Sequence, residues 1–373
     1  MARPHRAVVI HLNSPAAYPP LLHFLGVLLE QGWSLRLIGA AGADGLMLPP
    51  ALAQRIAYVD LGRRAPGRDR HSFLLRLLGA VGAALRERPG LLIASDPDAA
   101  VPALSLAAIW KVPIVYLEHD SPCPDPRGDR GRLRRSLRRL LIGQAALRVF
   151  PNPARLAFAH GELGFPLDEA VVMPNLPMVP SIPPRPAIAQ GGQRRLHFHG
   201  SISPGALPLT LVAALARRPN WRMAVYGYAI GHQAHLQALL AAASAAGLAD
   251  RLCFHGPRPN AELHSLLTAA DAAFAGFRCH PFNLNHTLID GASNKLHEYA
   301  WHGLPTLLPA EVPLDQFPAP LAIPYQRDDV ESMIAALDLA ATRRPDPRWR
   351  PADFAQVCRE RLLPRLTTLL ESA

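Results

Sequence analysis

The segment Asp290 to Pro305 reads D-G-A-S-N-K-L-H-E-Y-A-W-H-G-L-P and carries the densest set of side chains able to do chemistry. Two carboxylates, Asp290 and Glu298, have seven residues between them. Gly291 permits a tight turn, and Ser293 or Asn294 can cap a following helix. The N-terminus of that helix offers free N–H groups, a ready site for a phosphate. Lys295 in the first turn opposes the helix dipole, so an anionic ligand explains it better than stability does. Glu298 falls on the same helical face as Lys295, where its carboxylate can accept hydrogen bonds from both hydroxyls of a ribose. Gly303 ends the helix and Leu304-Pro305 leads into a strand. Such a segment would hold a diphosphate and a sugar.

The elements that position it alternate. Short apolar runs at 7–12, 34–38, 91–94, 113–117, 146–150 and 170–173 read as strands, with helices at 21–31, 71–88 and 99–110 between them. Six prolines then fall between Pro174 and Pro186, which marks a stiff linker with few backbone donors. The alternation restarts with strands at 196–199, 223–226, 252–254, 272–275 and 306–308. Helices at 207–217, 233–246, 261–270, 294–302, 329–342 and 354–370 accompany them. This pattern predicts an α/β protein of two Rossmann-like, doubly wound parallel-sheet domains facing a cleft. The predicted boundaries are 1–178, a linker at 179–193, a second domain at 194–345, and a C-terminal helical segment at 346–373 that packs back toward the first domain.

The run S-N-K-L-H-E-Y-A-W-H-G-L-P resembles the donor-site motif of the large retaining family of GT-B glycosyltransferases, also called the glycosyltransferase family 4-like or group 1 family. Further stretches resemble it across nearly the whole chain: S-D-P-D-A-A-V-P-A-L from Ser95, K-V-P-I-V-Y-L-E-H-D from Lys111, V-M-P-N-L from Val172 and F-H-G-S-I-S-P-G from Phe198. The resemblance implies that Glu298 contacts the donor ribose, and that Asp290 and His119 lie near the transferred sugar as catalytic residues. It also implies that Gly200, Ser201, Gly227, Gly256, Gly291, Ser293, Asn294 and Lys295 line the nucleotide-sugar site. Two departures stand out. Asp290 replaces the family's Glu, and the loop 201–206 lacks the family's diphosphate-gripping Arg and Lys, for which Arg278 or Lys295 could compensate. The activity implied is transfer of a hexose from a nucleotide sugar to a glycan, lipid-linked or small-molecule acceptor, as in bacterial polysaccharide biosynthesis, with no metal and no cofactor. A nucleotide-sugar 2-epimerase of the same fold, or a non-catalytic nucleotide- or glycan-binding subunit, are the alternatives.

The 373 residues carry 39 Lys+Arg and 29 Asp+Glu, and only Lys111 and Lys295 are lysines, a bias that a GC-rich genome produces. Residues 1–180 hold 21 of the cations against 14 acids, so the excess concentrates in the first half. Much of it lies in one helical stretch. Leu133, Leu137, Leu140 and Leu141 form an apolar stripe there, flanked by Arg132, Arg134, Arg135, Arg138 and Arg139. Two readings stay open: a helix docked by its Leu face with solvated arginines, or a helix lying on an anionic membrane near the acceptor. With 6% aromatic residues, nucleic-acid binding is disfavoured. No apolar run reaches 18 residues, and no signal-peptide h-region is visible, which predicts a cytoplasmic protein, peripheral on a membrane at most. The four cysteines form no C-x-x-C pair, and His280, His286, His297 and His302 fit no standard ligand spacing, so no metal site is predicted. Gly39 to Gly45 follows the second strand with the wrong spacing for a dinucleotide loop.

Overall fold

The computed structural model describes residues 5–40, 46–62, 70–84, 88–120, 129–178, 192–229, 231–279, 284–312 and 314–371. Over these the chain divides into two compact units. One is formed by residues 1–178, 281–288 and 352–373, the other by residues 179–280 and 289–351. Cys123, His280, Gly45 and most of the expected linker lie outside the described residues.

The first unit is built on seven parallel strands: β1 (Arg6–His11), β2 (Ser34–Gly39), β3 (Ala57–Asp60), β4 (Leu91–Ser95), β5 (Ile114–Leu117), β6 (Leu147–Phe150) and β7 (Ala170–Val172). Their order is β3-β2-β1-β4-β5-β6-β7. Alternate residues of β1 point to opposite faces, as the strand period requires. Ala7 and Val9 join one apolar cluster with Leu21, Phe24, Leu25 and Leu28, whereas Val8 and Ile10 join another with Ala99, Ala103 and Leu106. Helices thus cover both faces, which is why the strands read as nearly continuous apolar runs. Phe354, Val357, Leu362 and Leu366 complete the first of these clusters, and the Phe354 amide donates to Pro177 O at 3.1 Å. The C-terminal segment is two helices, Phe354–Val357 and Leu363–Glu371, joined by a π-helical turn at Cys358–Leu362.

The second unit has six parallel strands: β8 (Arg194–Ser201), β9 (Trp221–Tyr228), β10 (Leu252–Phe254), β11 (Ala272–Phe274), β12 (Thr306–Pro309) and β13 (Ala322–Tyr325), in the order β10-β9-β8-β11-β12-β13. Ala272, Phe274 and Leu307 face one cluster, and Ala273, Ala275 and Leu308 the other.

The sequence reading overlooks two strands, β3 and β13, both at sheet edges. Each has four residues, and β13 contains Pro324, which an edge strand tolerates. Pro102 sits in the first turn of the helix Ala100–Trp110, where its missing N–H costs nothing.

The arginine-rich helix runs from Asp129 to Gln144 and buries only part of the expected leucine stripe, with Leu137 and Leu141 packed into the core. Leu133 and Leu140 are 60% and 56% exposed, while Leu141, Ile142 and Arg138 are buried. The buried side also holds an ion pair. Arg138 Nε lies 2.6 Å from Glu118 Oε2 and Arg138 Nη1 lies 2.7 Å from Glu162 Oε2. Glu118 is itself buried at the end of β5 and also accepts from Tyr116 Oη at 2.9 Å. Arg138 therefore does not belong to the surface expected of it. Arg132 and Arg139 are exposed, and Arg134 and Arg135 half-buried, with Arg134 Nε 3.7 Å from Asp98.

Candidate functional site

In open parallel sheets ligands sit beyond the carboxyl ends of the strands, where the strand order reverses. In the second unit that point lies between β8 and β11. β8 ends at Gly200 and Ser201, with Gly200 at φ 113°. The helix Asn294–Trp301 begins nearby with Ser293 as its N-cap, whose side chain makes no capping bond. Lys295 Nζ sits 4.7 Å from the ring centre of Phe198 and 5.3 Å from that of Phe277. A Cβ at Gly200 would stand 3.6 Å from that ammonium. Burial lowers the Lys295 pKa to about 8, with Glu298 opposing the shift. The ammonium thus leans on two aromatic faces beside a strand end with no side chain, and Asn294 Oδ1 is buried with no hydrogen-bond partner among the described residues.

Glu298 is 2% exposed, and burial raises its pKa to about 7. Its Oε2 lies 2.7 Å from His199 Nε2, and His199 Nδ1 lies 3.1 Å from His197 Nε2. Burial lowers the His199 pKa to about 3 and that of His197 well below the usual range. At neutral pH the His199 ring is therefore neutral, and it shares a hydrogen bond with Glu298. The chain of rings continues outward, His197 stacking on Tyr226 and Tyr226 on the exposed His255. His264 and His302 form a second buried pair at 3.0 Å. His297 Nε2 lies 2.9 Å from Gly291 O.

The other expected donor residues fall into separate environments. Both carboxylate oxygens of Asp290 accept from the Gln316 amide, at 3.1 and 3.0 Å, and burial raises its pKa. Gly291 has φ 73°, and a Cβ there would collide with the Gln316 side chain. Gly227 pairs with Gly200 across the ladder, and a Cβ on it would collide with the Gly200 carbonyl oxygen, so glycine is required there by strand packing alone. Gly256 turns the loop after β10 with φ 70°. Ser201 and Arg278 are exposed. Among the described residues, no three His, Cys, Asp or Glu side chains converge as a metal site.

In the first unit the reversal lies between β1 and β4. His11 closes β1, and its Nδ1 is 2.8 Å from Ser95 Oγ at the end of β4. Asp96 follows with φ 62°, a strained value for a residue with a side chain. Its Oδ1 accepts from the amides of His119 and Asp120, at 2.8 and 3.1 Å, beyond β5. Tyr18 Oη donates to Asp120 Oδ2 at 3.3 Å. Arg155 is buried, and its guanidinium donates to His119 O at 2.6 Å and to the carbonyls of Leu288 and Asn285. Burial pushes His11 to about 3 and His119 to about 4, while burial and the Asp120 carboxylate push Asp96 up to about 8.

Sequence reasoning singles out His119, Lys295 and Glu298, and does not single out His11, Asp96, Arg155, His197 or His199, which the structure places beside them or at the matching strand ends. A polar residue at the end of an otherwise apolar strand was the available signal for His11, Asp96 and His199. Arg155 carried none, since its partners lie 36 to 133 residues away.

Residues 22–176 match the model of the glycosyl transferase 4-like domain family. No curated protein sequence matches the chain. Among solved structures it is similar to Anabaena HepE in complex with UDP and glucose, at 16% identity and a TM-score of 0.66 over 99% of this chain and 98% of that one. It is also similar to sucrose-phosphate synthase from Thermosynechococcus elongatus, at 14% identity and a TM-score of 0.67 over 98% and 95%. A third likeness is to a putative UDP-N-acetylglucosamine 2-epimerase from Listeria monocytogenes, at 13% identity and 0.62 over 100% and 98%. The chain thus has the GT-B fold, and the residues that match the glycosyl transferase 4-like domain model fall in its first unit.

Proposed function

We propose that the chain transfers a hexose from a nucleotide sugar to a glycan, lipid-linked or small-molecule acceptor, with retention at the anomeric carbon. The second unit holds the donor. The observation that carries this reading is the juxtaposition of Gly200, Lys295 and Glu298 at the switch point of the second sheet. Lys295 and the free amides of its helix supply positive charge for the departing diphosphate, in place of a metal. Glu298, held by His199, accepts from the ribose hydroxyls. Asp290, with its carboxylate on the Gln316 amide, shapes the turn into that helix, and His119 lies on the acceptor side.

HepE was crystallised with UDP and with UDP-glucose, which supports a uridine donor for this chain. UDP and UDP-glucose should raise its melting temperature, because a ligand that binds only the folded state stabilises it. GDP, ADP and dTDP should raise it less. Lys295→Ala and Glu298→Ala should each abolish the UDP shift. An unchanged shift in both would refute the site. The 2-epimerase reading draws on epimerases with the same fold. Incubation with donor alone separates the two, since an epimerase returns an isomerised nucleotide sugar and a transferase leaves it intact or slowly hydrolysed.

A peripheral membrane role has support in the first unit. The helices Ala100–Trp110 and Asp129–Gln144 pack together and leave Val101, Ile109, Leu133 and Leu140 more than half exposed. Arg132, Arg139 and Lys111 are exposed beside them, and neither 100–111 nor 130–144 contains an acidic residue. An anionic bilayer suits such a face. No helix among the described residues is long and apolar enough to cross a membrane. Flotation with vesicles containing anionic phosphatidylglycerol should succeed where phosphatidylcholine alone fails. Equal behaviour of the two would exclude this role.

A further inference from the structure

We propose that Arg327 is a positioning residue for the donor's diphosphate, its guanidinium fastening the loop after β8 to the Phe277 seat of Lys295. The inference rests on the donor reading of the second unit. Arg327 stands two residues beyond β13 and is buried. Its Nη1 donates to Gly205 O and to Phe277 O, both at 2.9 Å. Its Nη2 donates to Pro204 O at 2.7 Å and to Gly205 O at 2.8 Å. One planar group thus ties three stretches of backbone together: the end of β13, the loop between β8 and the helix Leu209–Ala216, and the residues that follow β11. The ring of Phe277 is one of the two on which Lys295 Nζ rests. The loop and the extension of β11 also meet directly, because a Cβ on Gly276 would collide with Ala206 O.

Fold stability alone does not call for a cation at this place. Buried charges are as a rule matched by opposite ones. Arg327 makes no ion pair with an acid among the described residues, and its four bonds all end on carbonyl oxygens. The loop 201–206 contains no cation of its own. The guanidinium therefore sets an uncompensated positive charge behind that loop, beside the switch point between β8 and β11. Its charge reaches further through the peptide groups it holds. A carbonyl that accepts from a cation is polarised, and the N–H across the same trans peptide becomes a stronger donor. The peptide joining Pro204 and Gly205 is such a group: its carbonyl is bonded to Nη2, and its N–H has no acceptor among the described residues. A lysine could supply the charge but not the fork that spans three carbonyls. Arg251 offers a comparison within the same unit. Its Nη1 donates to the carbonyls of Leu215, Arg218 and Trp221, but these lie at the start of β9, the opposite end of the sheet.

The test titrates the full chain with UDP, inorganic pyrophosphate and uridine, in wild type, Arg327→Gln, Arg327→Lys and Arg251→Gln. Arg327→Gln should weaken UDP and pyrophosphate by roughly tenfold or more, the scale of one lost charged hydrogen bond, and uridine by less than about twofold. Arg327→Lys should fall between wild type and Arg327→Gln. Arg251→Gln should lower the melting temperature yet leave all three affinities within about twofold, since the bonds it loses are far from the phosphate. A general loosening of the unit would instead weaken uridine as much as UDP. Equal losses for uridine and UDP, equal losses in Arg251→Gln, or unchanged pyrophosphate affinity in folded Arg327→Gln would each overturn the proposal. Should Arg327→Gln not fold, Arg327→Lys carries the same comparison, and unchanged UDP and pyrophosphate affinity there overturns it. A wild type that binds pyrophosphate but neither UDP nor uridine would overturn the uridine donor, while the pyrophosphate titrations still decide the role of Arg327. A wild type that binds no pyrophosphate overturns the proposal outright.

Discussion

Burial disfavours the charged forms of Glu298 and Lys295 alike, and each leaves a signature in pH. An acid with a raised folded pKa binds its proton more tightly folded than unfolded. The folded state is then favoured at low pH and loses ground as pH climbs from about 4.5 to about 7. Glu298→Gln removes that loss while keeping an acceptor for His199. The variant should gain about 3 kcal/mol over wild type at pH 8 and almost none at pH 4.5, by urea unfolding at the two values. Its donor affinity should fall even so, because a neutral amide accepts more weakly from ribose hydroxyls. For Lys295 the sign reverses. The charged form is fully disfavoured by folding below pH 8, and the penalty fades toward 10.5. UDP affinity by calorimetry should therefore drop between pH 7 and 9.5 as the free site loses its ammonium. Lys295→Arg should shallow that drop. A drop of equal size in Lys295→Arg would assign it elsewhere.

At the scale of elements, a local rule can hold in part. The leucine spacing of the helix Asp129–Gln144 predicts a buried face of four leucines; Leu137 and Leu141 pack into the core, while Leu133 and Leu140 stay exposed and Arg138 is buried in an ion pair. Removing one partner of such a pair leaves an uncompensated charge, at about 3–5 kcal/mol. Arg138→Ala should be destabilised by that much, whereas Arg139→Ala, on the exposed side, should change stability by less than ~0.5 kcal/mol. Chemical denaturation of both compares them directly. Gly227→Ala should cost about 3 kcal/mol or more, because its methyl would meet the Gly200 carbonyl in the adjacent strand. Central strands, the helix that carries Lys295, and the donor motif were legible because each is encoded by residues close in sequence. Edge strands β3 and β13 were too short to announce themselves. His11 meets Ser95 across 84 residues and His199 meets Glu298 across 99, pairings that only the sheet order brings together.

At the scale of the whole molecule, the first unit is assembled from three stretches of chain. Phe354, Val357, Leu362 and Leu366 lie in the same apolar cluster as Leu21 and Leu25, more than 300 residues earlier. A chain ending at residue 345 would expose that cluster, so it should aggregate or lose the first unit's cooperative melt, and a single Leu366→Ala should already cost about 2–5 kcal/mol. Differential scanning calorimetry would report both.

The scarcity of lysine gives the molecule a chemical address. With two lysines in 373 residues, an amine-selective reagent has two side-chain targets besides the terminal amine. Lys111 lies exposed and marks the background rate. Lys295, with a pKa of about 8, presents a substantial neutral, nucleophilic fraction in mildly alkaline buffer. Reductive methylation at pH 8 read by peptide mass spectrometry thus becomes an occupancy meter for the donor site, in which a bound diphosphate silences one labelled peptide and leaves the other as its internal clock.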